Sequence, residues 1–304
     1  MTEGQMEYRI TSEHSGMLLR TYLSSVLGIS RGELICLKAK ENGIMLNGSR
    51  VTVRAVLNDG DVLLLDRTDE DGSQGVVPVD LPLDVIYEDG DVIALNKPPH
   101  MPTHPSHDHQ TDTLANALAH YYCKKGVPFV FRAVNRLDRD TSGIVIVAKS
   151  KASAFYMSRQ IAADRVEKRY IAVASGKIDE PFSVKVNMKR EEESKMRRTI
   201  CDGNEGQFSH TDFSVICSRP DYTVLSALLH TGRTHQIRLH LAHSGHPLLG
   251  DTLYGDENGS KVISRQALHA HTFTFTRQCD GQRITLTAEP PQDLMNLLNN
   301  IKDN

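Results

Sequence analysis

Leu18, Leu19, Tyr22, Leu23 and Val26 recur at helical spacing and predict an amphipathic helix that Gly28 ends. Ser30, with Glu33 three residues on, has the capping-box arrangement and predicts the start of a second helix. The pattern then turns to short apolar runs. Asn47-Gly48, set between Met45-Leu46 and Val51 to Val53, predicts a hairpin, because both turn residues tolerate the positive φ of a tight two-residue turn. Gly60-Asp-Val-Leu-Leu-Leu predicts one more strand, so residues 13–68 read as a small self-contained unit. From Asp69 to Val79 the chain is acidic and carries Gly and Ser, the composition of a linker. The expected organisation is a module over residues 1–70, a linker over 71–80 and a larger domain over 81–304.

In the larger domain, strand-like runs fall at Leu83 to Tyr87, Asp91 to Asn96, Gly143 to Ala148, Tyr170 to Ala174, Thr223 to Leu229 and Arg283 to Ala288. Helical stretches fall at Thr113 to Tyr122, Ala152 to Ala163 and His235 to Ser244. Many strands, few helices and no regular βαβ alternation predict an α+β domain around a mixed, mainly antiparallel sheet.

Composition adds little to this picture: 39% hydrophobic and 24% charged residues suit an ordinary globular protein, not a disordered one. The acidic start of the chain argues against a targeting peptide, and no stretch approaches the roughly 18 to 20 apolar residues that span a bilayer. A cytoplasmic protein is expected. Cys36, Cys123, Cys201, Cys217 and Cys279 are odd in number and widely spaced, which fits reduced thiols better than disulfides or a zinc ribbon. The net charge of -3 hides an uneven distribution, since residues 132–198 hold 16 Lys and Arg against 9 Asp and Glu, an excess of +7. Such a stretch suits a solvated face as well as an RNA-binding surface.

The segment richest in chemistry is Arg132-Ala-Val-Asn-Arg-Leu-Asp-Arg-Asp-Thr-Ser-Gly-Ile-Val-Ile-Val-Ala-Lys149. A charged loop runs into an apolar strand, so a carboxylate is held at the mouth of a rigid element. Taken alone, Asp138, Arg139 and Asp140 also read as a weak surface ion-pair cluster.

The wider pattern decides between these. Arg136-Leu-Asp-Arg-Asp-Thr-Ser-Gly143 resembles the catalytic motif of the RluA/RluD family of pseudouridine synthases. Gly232-Arg-Thr-His-Gln-Ile-Arg-Leu-His240, followed by Gly245-His-Pro-Leu-Leu-Gly-Asp-Thr-Leu-Tyr-Gly255, resembles its second long motif. Leu95-Asn-Lys-Pro-Pro99 with His104-Pro105, Lys168-Arg-Tyr-Ile-Ala172 and Arg265-Gln-Ala-Leu-His-Ala270 are also family-like, and the order is the family's from about residue 14 to about 292. Two departures are visible: Asn135 stands where the family often has His, and Pro99-His100-Met101 replaces a small Ala-Gly segment. The N-terminal unit, with Arg20, Arg31, Lys38 and Lys40 on or near its helices, resembles the αL RNA-binding module.

The resemblance implies an isomerase acting on RNA without cofactor or metal, expected as a monomer off the membrane. Ribosomal RNA is the expected substrate, with transfer RNA as the other class. It implies an α+β chain in which the αL module precedes a pseudouridine-synthase catalytic domain. Asp138 takes the position of the catalytic carboxylate, as nucleophile or as base in a glycal route, and both routes stay open. Arg238 takes that of the arginine that pairs with it, and Tyr170 that of the tyrosine set against the uracil. Arg136 resembles the residue that fills the gap left by a flipped nucleotide. Lys97, Arg139 and Arg233 are expected as phosphate contacts or structural pairs, and Arg31 and Lys38 as RNA contacts of the module.

Rival readings are a metal-dependent hydrolase using His240, His243 and His246 or His104, His107 and His109, an RNA-binding protein without activity, and a glycoside hydrolase using Asp138 and Asp140. Gly245 and Pro247 end the helix before His246, and no His-Glu-x-x-His run exists. Asp138, Tyr170 and Arg238 together argue against a purely binding role.

Overall fold

In the computed structural model, residues 5–29, 34, 37, 38, 40–66, 76–192, 194, 196–203, 205–255 and 262–302 are described. The chain divides into two compact units, residues 1–72 and 73–304.

The first unit holds an antiparallel sheet in the order β1-β4-β2-β3, with β1 at Gln5–Arg9, β2 at Ile44–Leu46, β3 at Ser49–Arg50 and β4 at Val62–Asp66. The first predicted helix is one α turn, Leu19–Thr21, that widens into a π turn, Tyr22–Val26. It buries Leu19, Tyr22 and Leu23 in a core shared with Ile44, Leu63 and Leu65. Gly28, with φ 64°, leaves the helix in the left-handed region. Asn47 and Gly48 have φ 51° and 76°, both positive as a two-residue hairpin turn requires. That turn pairs Leu46 with Ser49 and Met45 with Arg50, so the return strand comes earlier than Val51 to Val53. Ser30, Glu33 and Arg31 lie outside the described residues, whereas Leu34, Leu37 and Lys38 are helical.

The second unit is built on an eleven-stranded sheet. Its strands are β5 (Val85–Glu88), β6 (Val92–Lys97), β7 (Arg132–Ala133), β8 (Ser142–Ala148), β9 (Glu167–Ser175), β10 (Phe182–Arg190), β11 (Arg198–Cys201), β12 (Gln207–Ser218), β13 (Tyr222–Leu229), β14 (Leu268–Thr276) and β15 (Arg283–Thr287). The main path is β11-β10-β12-β13-β9-β14-β8-β6-β5, with β7 beside β8 and β15 beside β14. Only β14 and β8 run parallel among the described pairs, so the sheet is mixed and mainly antiparallel. The predicted helices are Leu114–Lys124, Lys151–Ala162 and Gln236–His243, and a further helix closes the chain at Gln292–Lys302.

The sequence of β8 explains its central place. Every residue from Ser142 to Ala148 is buried, and alternate side chains point to opposite faces. Val145 and Val147 join Leu114 and Leu118 of one helix, while Ile144 and Ile146 join Met157 of the next and Phe273 and Phe275 of β14. At about 1.5 to 3 kcal/mol per fully buried aliphatic side chain, these four anchor the strand to both layers. The two helices start on side-chain caps: Thr113 accepts from Asn116 N, and Ser150 accepts from Ser153 N.

Where β8 begins, the chain meets β14 so closely that only glycine fits. Gly143 has φ +112°, and a Cβ there would lie 2.2 Å from the Ala270 carbonyl oxygen. The apolar strand therefore starts at a fixed point, and the loop before it, residues 136–141, is held at the amino end of a central strand.

Candidate active site

Loop 136–141 is gripped, mostly through its backbone, by side chains from three other segments. Thr103 Oγ1 donates to Leu137 O at 3.0 Å. The Lys97 ammonium donates to Arg139 O at 3.0 Å, and also to Pro98 O and Met101 O at 2.9 and 2.7 Å. Arg265 Nη1 donates to Asp140 O at 3.1 Å, with its Nε and Nη2 on the Asp293 carboxylate at 2.7 and 3.0 Å. Gln266 Nε2 donates to Thr141 Oγ1 at 3.1 Å. Ser142, the first residue of β8, shares a hydrogen bond with His269 Nδ1 at 2.9 Å.

Lys97 therefore answers one of the two roles expected of it. It is fully buried with its three donors on carbonyl oxygens, so it cannot contact an RNA phosphate and is a structural clamp. Burial brings its pKa down to about 7, against the pull of the nearby Asp138 and Asp140 charges.

Asp138 projects from the gripped loop with its side chain 27% exposed. Arg238 Nη1 reaches its Oδ2 at 3.3 Å. The rest of that guanidinium is committed elsewhere: Nε and Nη2 each donate to Asp251 at 2.7 Å, a bidentate fork onto a carboxylate that is 1% exposed. Asp251 also accepts from the backbone N–H groups of Leu253 and Tyr254 at 2.9 and 3.1 Å. Burial opposes the charge on Arg238, yet the bonds to Asp251 and the Asp138 charge together raise its pKa further. Burial likewise opposes ionisation of Asp251, and the Arg238 fork holds it below the usual carboxylate range.

Tyr170, on β9, is 7% exposed. Burial first, and the charge of Asp138 second, push its hydroxyl well above the usual phenol range, so it stays protonated at neutral pH. His235, in the second long motif, sits at φ 60° just before the helix Gln236–His243 and brings its Nε2 to 3.7 Å from Asp138 Oδ2. Its Nδ1 meets the Tyr254 hydroxyl at 3.2 Å, and the Arg238 guanidinium lies 5.3 Å from the Tyr254 ring centroid. Burial lowers the His235 pKa, which keeps the ring neutral beside the arginine.

The remaining predicted residues are spread over the surface. Arg136 is exposed. Arg139 is exposed and forks onto Asp140 at 3.0 and 2.9 Å. Arg233 is exposed, its Nε donating to Phe208 O at 3.1 Å. Lys38, in the first unit, is exposed. The structure thus brings together Asp138, Arg238 and Tyr170 and adds Asp251, His235 and Tyr254, which the sequence reading leaves without a role. The signal for all three is their position inside the second motif.

Among known families, the RNA pseudouridylate synthase model matches residues 91–243, which include Asp138, Tyr170 and Arg238. The chain is 37% identical over 273 residues to an uncharacterized RNA pseudouridine synthase, YjbO, of Bacillus subtilis, covering 90% of this chain and 95% of that protein. It is 33% identical to ribosomal large subunit pseudouridine synthase D of Xylella fastidiosa over 85% of this chain and 81% of the relative. The chain belongs to the RluA family of RNA pseudouridine synthases. Of solved structures, human RNA pseudouridylate synthase domain containing 1 matches 77% of this synthase and 98% of its own chain, with a TM-score of 0.55 at 27% identity. The human domain containing 4 protein shares the fold at a TM-score of 0.57 and 18% identity.

Both departures from the family pattern have structural work in this synthase. Asn135 Nδ2 donates to Ile144 O and its Oδ1 accepts from Ile146 N, each at 2.9 Å, so it pairs with β8 as a strand residue would. His100, at φ 63°, sets its Nδ1 2.9 Å from Asp140 Oδ1. The histidine groups of the hydrolase reading do not converge: His240 Nε2 bonds Ser209 Oγ, and His246 Nδ1 bonds Ser175 O, each at 2.9 Å. No helix among the described residues is long and apolar enough to cross a membrane.

Proposed function

We propose that this synthase acts in the cytosol on uridines of structured RNA from the large ribosomal subunit, with Asp138 as the group that attacks the ribose. The observation that carries the residue assignment is the chain Asp251–Arg238–Asp138, in which a buried arginine fixed by one carboxylate presents its free Nη1 to the other. The ribosomal target rests on relatives named ribosomal large subunit pseudouridine synthase D, which match 81 to 84% of their own length in Xylella fastidiosa and Yersinia pestis.

The reaction breaks the bond from N1 to C1′, turns the uracil, joins C5 to C1′ and moves the C5 proton away as N1 gains one. Atoms balance without a second substrate. Asp138 either adds to C1′ or removes a ribose proton to give a glycal; each needs an ionised carboxylate, which the Arg238 charge favours. Tyr170 offers a flat ring for stacking. Because its hydroxyl stays protonated, it can accept the C5 proton only by passing its own on. Arg136, exposed on the same loop, fills the space of the flipped nucleotide, a step that costs a few kcal/mol. Arg139 and Arg233 meet phosphates.

Pseudouridine mapping of total cellular RNA with and without the gene tests the substrate. One or a few sites in large-subunit ribosomal RNA are expected to disappear. Loss confined to transfer RNA would refute the ribosomal target while leaving the chemistry intact.

Residues 1–70, in this reading, are an RNA-gripping module joined by a linker over 71–80 to the catalytic domain, 81–304. Its support is an open groove of about 530 Å³ along which Lys38, Arg50 and Arg54 lie exposed. A fragment over residues 81–304 is expected to fold, to bind long structured RNA more weakly and to keep its kcat. Its salt slope becomes shallower by about 0.7 to 0.9 per lost phosphate contact. Kinetics at two salt concentrations check this. A folded fragment with collapsed kcat and undiminished affinity would place the segment in the catalytic fold instead.

A further inference from the structure

Away from Asp138, two histidines converge on one carboxylate. His210 and Asp212 are two apart on β12 and so share a face of the sheet, and His230 follows the end of β13. His210 Nε2 lies 2.9 Å from Asp212 Oδ1, and His230 Nε2 lies 2.8 Å from Asp212 Oδ2. The two imidazoles stack at 4.1 Å and 10°. One ligand atom from each residue falls within 4.8 Å of the others, the one such trio of His, Cys, Asp or Glu among the described residues.

Two neutral imidazoles do not satisfy every contact of the arrangement. A neutral imidazole donates from one nitrogen only. His230 faces a carboxylate at each nitrogen, Asp212 at Nε2 and Asp164 at Nδ1, the latter at 3.5 Å. His210 Nε2 must also serve Ser183 Oγ at 3.2 Å. Protonating His230 alone would satisfy both of its carboxylates while His210 stays neutral, so the contacts admit either an imidazolium or a bound cation. A cation bound by the two Nε2 atoms and the carboxylate meets the same contacts. His230 then keeps its proton on Nδ1, directed at Asp164, which is the outer carboxylate that orients a metal-bound histidine.

We propose that His210, Asp212 and His230 form a binding site for a divalent transition metal of the zinc class. Two imidazoles and a carboxylate are donors suited to that ion, at metal–ligand distances of about 2.0 to 2.2 Å. The ligand atoms already lie within 4.8 Å of one another, and the two rings must tilt out of their stack for both Nε2 lone pairs to meet one ion. Each neutral histidine shifts its proton from Nε2 to Nδ1 on binding, and each imidazolium releases one proton to solvent. The fourth position faces water, since Asp212 is 42% exposed. The metal would tie β12 to the turn after β13. That turn is already joined to His210, whose N–H donates to Thr231 Oγ1 at 2.9 Å and whose carbonyl accepts from Gln236 Nε2 at 3.0 Å. The site is therefore a brace under the segment that carries Arg233 and leads into the helix of Arg238, and no step of the isomerisation passes through it.

The test is a titration of the full, tag-free chain, first stripped with chelator, using Co²⁺ followed by optical absorption and Zn²⁺ as the displacing ion. One equivalent of Co²⁺ is expected to give visible ligand-field bands that Zn²⁺ abolishes, and zinc is expected to raise Tm by a few degrees. Asp212→Asn and His230→Ala should each lose the bands, and Asp164→Asn should weaken binding by about 10- to 100-fold. Melting of each stripped variant shows whether it is folded; if His230→Ala is not, Asp212→Asn decides alone. Absence of one-equivalent binding, or bands that persist in the folded variants because another histidine group holds the ion, would overturn the assignment.

Discussion

Asp138→Asn is expected to remove pseudouridine formation by at least about four orders of magnitude, the scale on which enzymes lose turnover when their attacking group goes. Asparagine keeps the size and shape of the side chain and can still accept from Arg238 Nη1, so the loop and the fold should survive. What disappears is the negative charge that attacks C1′ or takes the ribose proton. RNA affinity should stay within a few-fold, because the exposed Arg136, Arg139 and Arg233 are untouched. Single-turnover assays with saturating enzyme separate the two effects. Pseudouridine above background with the pure Asn protein would sink the assignment of Asp138, and release of free uracil by the wild type would point to a glycosidase instead.

The second large effect concerns Arg238 and Asp251. Arg238→Met leaves a carboxylate that is 1% exposed without its partner, and Asp251→Leu leaves a guanidinium that is 8% exposed with only Asp138 for company. Each single change is expected to cost about 3 to 5 kcal/mol of stability, because an uncompensated buried charge keeps its desolvation penalty and loses its attraction. Replacing both at once, Arg238→Met with Asp251→Leu, removes the two charges together and should recover most of that loss. Activity should not recover, since Asp138 still lacks the cation beside it. Denaturant melts of the two singles and the double, alongside single-turnover rates, give the coupling directly. A double variant as unstable as the sum of the singles would mean that the pair is not a buried unit. One that regained turnover would mean that Arg238 serves only the fold.

Much of the candidate site is legible in the sequence, and for a physical reason. Asp138, Tyr170 and Arg238 stand in motifs whose charged residues lie against apolar strands, where a carboxylate or a guanidinium has little other reason to be. The supporting residues are harder to read. Asp251 follows Gly250 in what looks like a turn, and only the structure shows that Gly250, at φ +72° and with no room for a Cβ beside Arg265 O, turns that carboxylate inward. Lys97 carries the opposite lesson: a lysine beside two prolines looks like a surface contact until three carbonyl oxygens are found around its ammonium.

The fold shows the same division. Runs such as Ile144 to Val147 announce their strand, while β12 conceals itself because Ser209 and Thr211 occupy inward positions beside Phe213, all of them buried. Its hydroxyls are satisfied by Val186 O and by Gln236 Nε2, long-range partners that no local pattern contains. β10 alternates cleanly as Phe-Ser-Val-Lys-Val-Asn-Met, yet its three charged residues counted together give it the look of a basic surface stretch. The helix Gln292–Lys302 is legible too, since Leu294, Leu297, Leu298 and Ile301 recur at helical spacing, but the sequence reading passes over it.

The place of β14 sets a timetable for the newborn chain. Residues 268–276 lie near the carboxyl end, yet they fill the middle of the sheet, antiparallel to β9 on one side and parallel to β8 on the other. Until they leave the ribosome, β8 and β9 have exposed edges where hydrogen bonds should be, and Gly143 has nothing to press against. Contacts so distant along the chain form slowly, because a long loop must close before any of them is rewarded. The Asp138 loop, pinned by Arg265 and Gln266 immediately upstream of that strand, can take its working shape only once those residues have been made. The chain thus stays incompetent toward RNA chemistry until residue 276 has emerged, and a truncation anywhere before residue 268 yields an open-edged sheet prone to aggregate, with no functioning site.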